Sequence, residues 1–96
     1  MFVIRNVFRC KPGQAKNVAD KFRAAHALMT DIGLEPRIMV DEVGHFWTVV
    51  VEVNVEDLAA FGKAMHERGS REDVQAAMAG YMDMVESGYR EVFKVV

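Results

Sequence analysis

The 96-residue chain is 51% apolar and 27% charged, and its net charge is −2. This length supports one domain, predicted to span residues 1–96, with one modest core, and the apolar share excludes a disordered chain. The nearly balanced charge and the scattered basic residues exclude an electrostatic surface for nucleic acid or anionic lipid.

The cysteine content and the N-terminus indicate the cellular context. Cys10 is the only cysteine, so no intrachain disulfide can form. Met1 leads directly into an alternating segment rather than a signal sequence, and no apolar run approaches the roughly 20 residues that cross a bilayer. These features favour a cytoplasmic protein with no membrane partner.

The first two predicted elements are a strand and an amphipathic helix. Residues 2–10, FVIRNVFRC, alternate in polarity as strands do, and Pro12 with Gly13 ends the alternation. Residues 14–32 form the helix, and Gly33 is its expected C-cap. Its apolar stripe has helical spacing and consists of Val18, Phe22, Ala25, Met29 and Ile32.

A β-hairpin is predicted next. Residues 36–42, PRIMVDE, and residues 45–54, HFWTVVVEVN, are rich in β-branched and aromatic residues. VGH at residues 43–45 predicts a tight turn into the second strand, and Pro36 favours an edge position for the first. Trp47 is assigned to the side of the second strand that faces the core.

The second helix is predicted to be broken. Glu56 and Asp57 fall in its first turn, where acidic side chains interact favourably with the helix dipole. Gly69 interrupts the helix, and Ser70 is expected to cap a second segment in a capping box with Asp73. The apolar stripe then continues through the Met-rich run MAGYMDMV, which contains Tyr81.

A last strand at residues 88–96, GYREVFKVV, completes the order β-α-β-β-α-β. This order is typical of the α+β ferredoxin-like split βαβ. The expected sheet has four antiparallel strands in the order 4-1-3-2, with both helices on one face.

The helices can cover only one face of this sheet. Strand alternation assigns to the covered face Phe2, Ile4, Phe8, Trp47, Val49, Val51 and Val53. It leaves on the bare face Val3, Val7, Phe46, Val50 and Val92, among Arg5, Arg9, Thr48, Glu52 and Lys94. Exposing such apolar side chains forfeits roughly 1.5–3 kcal/mol each, so a homodimer packed sheet to sheet is predicted. Arg5 and Glu52 are expected to pair across adjacent strands.

The element order, the broken helix VEDLAAFGKAMHERGSREDVQAAMAGYMDMV and the closing strand SGYREVFKVV resemble the dimeric α/β-barrel superfamily over nearly the whole chain. The start, MFVIRNVFRCKPGQAKNVADKF, is similar to NIPSNAP-like and antibiotic-biosynthesis-monooxygenase-like members. The superfamily includes haem-degrading and quinol monooxygenases, chlorite dismutase relatives and muconolactone isomerases. The resemblance implies a homodimer with a pocket between sheet and helices, but a shared fold does not fix a reaction.

Asn6 is the principal candidate for a ligand contact, because it interrupts the apolar row of the first strand. An unpaired buried amide costs roughly 2–7 kcal/mol, so it anchors a ligand or is satisfied by backbone or water. In haem-degrading relatives an Asn, a Trp and a helical His line the pocket, and Asn6, Trp47 and His66 resemble that trio. The predicted ligand-binding set is Asn6, Phe22, Trp47, His66 and Tyr81, with Phe2 nearby.

The alternative to ligand binding is that these side chains have only packing roles. Trp47 is equally explained as a core residue, and His26 and His66 as residues at the boundary of an apolar stripe. Cys10 is expected to act as a small hydrophobe. No H-x-x-x-H or H-E-x-x-H spacing exists, so no metal site and no cofactor are predicted.

Three functions are consistent with these residues. The first is binding of a small apolar or aromatic molecule between sheet and helices. The second is cofactor-independent monooxygenation of a phenolic or quinol-like substrate, with Asn6 and His66 as catalytic candidates. The third is a structural dimerisation module without a ligand.

Overall fold

The computed structural model describes residues 1–96 as a four-stranded antiparallel sheet with helices on one side. In chain order the elements are β1 (Phe2–Cys10), α1 (Ala15–Ala27), β2 (Arg37–Val40), β3 (Thr48–Val55), α2 (Leu58–Gly69), α3 (Glu72–Met78), α4 (Tyr81–Met84) and β4 (Val85–Lys94). The strand order is β2-β3-β1-β4, which confirms the predicted ferredoxin-like α+β fold and its 4-1-3-2 order. None of the helices combines the length and apolar composition needed to cross a bilayer.

Helix α1 forms the main core with the sheet. Val18 is fully buried and packs in one cluster with Val49 and Val51 of β3, and half-buried Phe22 packs against that cluster. The predicted helix was too long, because the N–H groups of Leu28 and Met29 bond three residues back and tighten the last turn. A 3-10 turn at Thr30–Ile32 follows and ends, as expected, at Gly33 with φ 75°.

The connection between β2 and β3 is longer than predicted, because residues 41–47 form a loop. Asp41 Oδ1 accepts a hydrogen bond from Thr48 N at 2.8 Å, and Thr48 Oγ1 donates to the His45 carbonyl at 2.9 Å. These bonds close the loop in place of a tight turn. Trp47 has φ 59° and is 42% exposed, and Phe46 is also exposed, so the assignment of both residues to β3 was wrong.

The predicted broken helix consists of three pieces. Asp57 precedes α2 as its N-cap and accepts a hydrogen bond from Ala60 N at 3.0 Å, rather than lying in the first turn. Gly80, with φ 83°, separates α3 from the short α4. That conformation is accessible to glycine at little steric cost.

The predicted capping box is absent. Ser70 Oγ donates to the Glu67 carbonyl at 2.9 Å, so it closes the end of α2 instead of capping α3. The carboxylate of Asp73 pairs with Arg71 at 2.6 Å and does not reach Ser70. The Arg71 guanidinium holds the pKa of Asp73 below its ordinary value.

Strand β4 begins at Val85 and runs beside β1, and its faces are opposite to the predicted ones. Val92 pairs with Ile4, so Val92 and Lys94 lie on the helix-covered side, and their assignment to the bare face was wrong. Tyr89 and Phe93 lie on the bare face instead. The alternation of β4 alone does not determine which of its two sides faces the helices, because that phase depends on the register of β4 with β1.

The bare face holds a buried carboxylate at its centre. Glu52 is only 7% exposed, and its Oε2 accepts a hydrogen bond from Arg5 Nε at 2.9 Å, as the predicted cross-strand pair requires. Arg37 of β2 donates to the other oxygen, Oε1. The hydrogen bonds from Arg37 and Arg5 lower the pKa of Glu52 from its ordinary value, because they stabilise the charged form.

Candidate functional site

A cleft of about 640 Å³ lies between the helix-covered face of the sheet and the helices. Of its 22 lining residues, 14 are hydrophobic. The lining as a whole includes residues of β1, β3, β4 and all four helices. Helix α2 has no buried residue, and α3 contributes only Val74. The broken helix therefore stands off the sheet and leaves the space that an unbroken, closely packed helix would fill.

An aromatic row forms one wall of the cleft. The ring centroids of Phe8 and Phe22 are 4.9 Å apart, and those of Phe22 and Tyr81 are 5.8 Å apart in an edge-to-face arrangement. Gly88 of β4 lies beside Phe8, and a Cβ there would approach the Val7 carbonyl oxygen to 2.8 Å. The absent side chain therefore lets β4 approach the backbone of β1 closely beside Phe8.

The polar end of the cleft consists of Asn6 and Arg90. They are opposite each other on β1 and β4, and Arg90 Nε donates to Asn6 Oδ1 at 2.6 Å. The Asn6 amide nitrogen makes no hydrogen bond with the protein, and Arg90 forms no ion pair with a carboxylate. Two donor groups therefore remain available beside an apolar surface.

His26, Gln75 and Asp83 are the other polar side chains of the lining. Burial lowers the pKa of His26 from its ordinary value of 6.5, because the imidazolium is poorly solvated there. His26 is therefore neutral at pH 7 and can accept a proton through one ring nitrogen.

Three of the five predicted ligand contacts lie together in this cleft: Asn6, Phe22 and Tyr81. Trp47, His66 and Phe2 do not line it. Trp47 lies in a separate hollow between α1 and the β2–β3 loop, together with Phe46. His66 is exposed on α2, whereas the preceding residue, Met65, lines the cleft. Successive residues of a helix point about 100° apart, so His66 is directed away from the cleft.

Sequence reasoning missed Arg90 and ranked His26 below His66. The two faces of β4 were predicted the wrong way round, so the pattern around Arg90 did not indicate that it lies on the helix-covered side. His26 lies four residues after Phe22, so the spacing already placed both on adjoining turns of one helical face.

No group of three or more His, Cys, Asp or Glu side chains is arranged to hold a metal ion. Cys10 is buried, and burial together with the charge of Asp41 raises the pKa of its thiol. Cys10 is therefore protonated at neutral pH and has little nucleophilic character.

The architecture is shared with several solved structures. An uncharacterized NIPSNAP-like domain protein from Burkholderia xenovorans superposes with a TM-score of 0.85 at 14% identity, covering 99% of this chain and 84% of that chain. The chain has a NIPSNAP-like fold. A NIPSNAP family protein from Agrobacterium tumefaciens strain C58 gives a TM-score of 0.83 at 15% identity, with coverage of 99% and 92%.

The NIPSNAP-like fold extends to monooxygenases. A structure of an antibiotic biosynthesis monooxygenase superposes with a TM-score of 0.71 at 15% identity and covers 100% of this chain and 99% of that chain. No protein-family model matches the sequence, and a search of curated proteins gives no match. At these identities the likeness concerns the fold, and the chemistry must be argued from the cleft itself.

Proposed function

We propose that the protein is a homodimer that binds a small, largely apolar or aromatic molecule in the cleft between sheet and helices. The cleft carries this proposal, because about 640 Å³ with a mainly hydrophobic lining matches the size and character of small-molecule sites. The row of Phe8, Phe22 and Tyr81 offers a surface on which a flat ring can stack.

The homodimer is supported by the bare sheet face. Tyr89 and Phe93 are exposed there, beside half-buried Val3 and Val50. Glu52 is already neutralised by Arg5 and Arg37, so a second sheet can cover this face without burying an unpaired carboxylate. A two-fold assembly presents the same face on both partners and buries both patches at once.

Filling the cleft should weaken ligand binding. Met65→Trp places a bulky indole in the lining of the cleft, and we expect it to weaken binding of the neutral probe 2-naphthamide at least about tenfold, by steric exclusion. Isothermal titration calorimetry measures the dissociation constant. Ala59→Trp is the matched control, because Ala59 is exposed on the same helix outside the cleft. Equal affinity in wild type and Met65→Trp would contradict the proposal.

A second candidate function is cofactor-independent monooxygenation of a phenolic or quinol-like substrate. His26 supports it, because a neutral imidazole in the same lining as Asn6 and Tyr81 can accept the proton of a bound phenol. The substrate supplies the electrons, one atom of O₂ is retained in the product, and the other leaves as water. The base in this proposal is His26, which lines the cleft, rather than His66, which does not.

Oxygen uptake with dihydroxynaphthalenes tests this second function. We expect His26→Gln to lower the rate above the protein-free background by about 10²–10⁴-fold, the range that general bases contribute. His66→Gln should keep the wild-type rate, because His66 is exposed outside the cleft. Identical rates for wild type, His26→Gln and buffer would exclude the enzyme and leave the binding protein.

A further inference from the structure

The guanidinium of Arg90 is held against the sheet by one of its three nitrogens. Its Nε donates to Asn6 Oδ1 at 2.6 Å, so the side chain has a defined orientation at the cleft. Neither terminal Nη atom makes a hydrogen bond with the protein. The outer edge of the guanidinium, which offers two parallel N–H donors, is therefore free.

The chain supplies no anion to this edge. Asp83 is the only acidic residue in the lining, and it forms no ion pair with Arg90. Five of the six other arginines have carboxylate partners, among them Arg5 and Arg37 on Glu52 and Arg68 on Asp31 at 2.9 Å, whereas Arg9 contacts His45. Arg90 thus differs from those residues by facing a cleft with its charge uncompensated.

We propose that the cleft selects carboxylates that carry an aromatic or other apolar body. The two Nη atoms of Arg90 bind the carboxylate in a bidentate fork, and Asn6 Nδ2 donates a further hydrogen bond to it. The apolar body lies against Phe22 and Tyr81. This inference rests on the proposed ligand-binding function and names the ligand class of the same site.

A pair of matched probes tests the charge preference separately from binding. 2-Naphthoate and 2-naphthamide have the same ring and nearly the same shape, but only the first is an anion. For wild type we expect naphthoate to bind at least about tenfold more tightly than the amide by titration calorimetry, because hydrogen bonds to charged groups are the stronger ones. Arg90→Gln should remove this advantage, so that naphthoate binds no more tightly than naphthamide to the variant.

Lys94→Gln is the matched control, because Lys94 lies on the same face of β4 but does not line the cleft. It removes the same charge and should keep the preference for naphthoate. Equal affinities for both probes in wild type would overturn the carboxylate assignment and leave the binding function intact. A preference that survives in Arg90→Gln would also overturn it. Binding of neither probe would overturn both proposals.

Discussion

Phe93→Lys is expected to convert the proposed dimer into particles of 10.8 kDa. Phe93 is 47% exposed on the bare sheet face, and its ring centroid lies 5.6 Å from Arg5 Cζ. Because a two-fold interface contains every residue twice, the substitution removes two phenyl groups and adds two ammonium groups beside arginines. We expect a loss of at least about 4 kcal/mol, or roughly a thousandfold weaker association. Sedimentation velocity at micromolar protein measures the change.

Val92→Lys is the matched control for this substitution. Val92 is the preceding residue and is also 47% exposed, but it lies on the opposite face of β4. The variant introduces the same charge without touching the bare face, so it should sediment as wild type does. A wild-type protein that is monomeric at micromolar concentration would refute the dimer, and so would equal weakening by both variants.

Arg5→Met is expected to lower the free energy of unfolding by about 2 kcal/mol at neutral pH, within the range for losing a hydrogen bond to a charged group. The substitution leaves the buried Glu52 with Arg37 as its single partner. The Arg37 side chain is 70% exposed, so it compensates the charge only partly. Urea unfolding at a fixed protomer concentration measures the difference.

Arg23→Met is the control for the loss of an arginine. Arg23 pairs with Asp20 at 3.7 Å on the exposed side of α1, and such surface pairs contribute about 1 kcal/mol or less. A similar loss of stability in both variants would show that the buried position of Glu52 is unimportant.

The pH dependence of this difference in unfolding free energy tests whether Glu52 is the group responsible for it. The pKa of Glu52 is lower in the folded protein than its ordinary value of 4.5. Its contribution to stability is therefore complete above that ordinary value and is lost as the pH falls through the lowered folded value. The difference between wild type and Arg5→Met should accordingly shrink as the pH falls below the ordinary value of 4.5. A difference that stays constant down to pH 2 would assign the effect to packing of the arginine stem.

The regular elements were predictable because their signals are local. The alternation of residues 2–10 and the stripe through Val18, Ala25 and Met29 each follow from the residue period of a single element. The loop at residues 41–47 was not predictable from strand propensity. Phe46 and Trp47 belong to residue types that favour strands, yet hydrogen bonds around Asp41 and Thr48 exclude both from β3.

The candidate site was predictable only in part, because only some of its residues carry a local signal. Asn6 was evident as a polar residue in an apolar row, and Phe22 as part of a helical stripe. Arg90 was not, because its position opposite Asn6 depends on the pairing of the first and last strands, 84 residues apart. His66 was favoured over His26 because it was matched to the helical histidine of the haem-degrading proteins that the chain resembles.

The sequence by itself determined the order of the elements and the side of α1 that faces the core, because periodicity and turn residues encode these features within short segments. The sheet topology followed from that order, which is typical of the ferredoxin-like fold. Only the tertiary structure decided the phase of β4, the full set of side chains that line the cleft and the contact between Arg90 and Asn6. These features depend on register and on the distance between separately folded elements, and a one-residue shift of register would move Arg90 to the other face of the sheet.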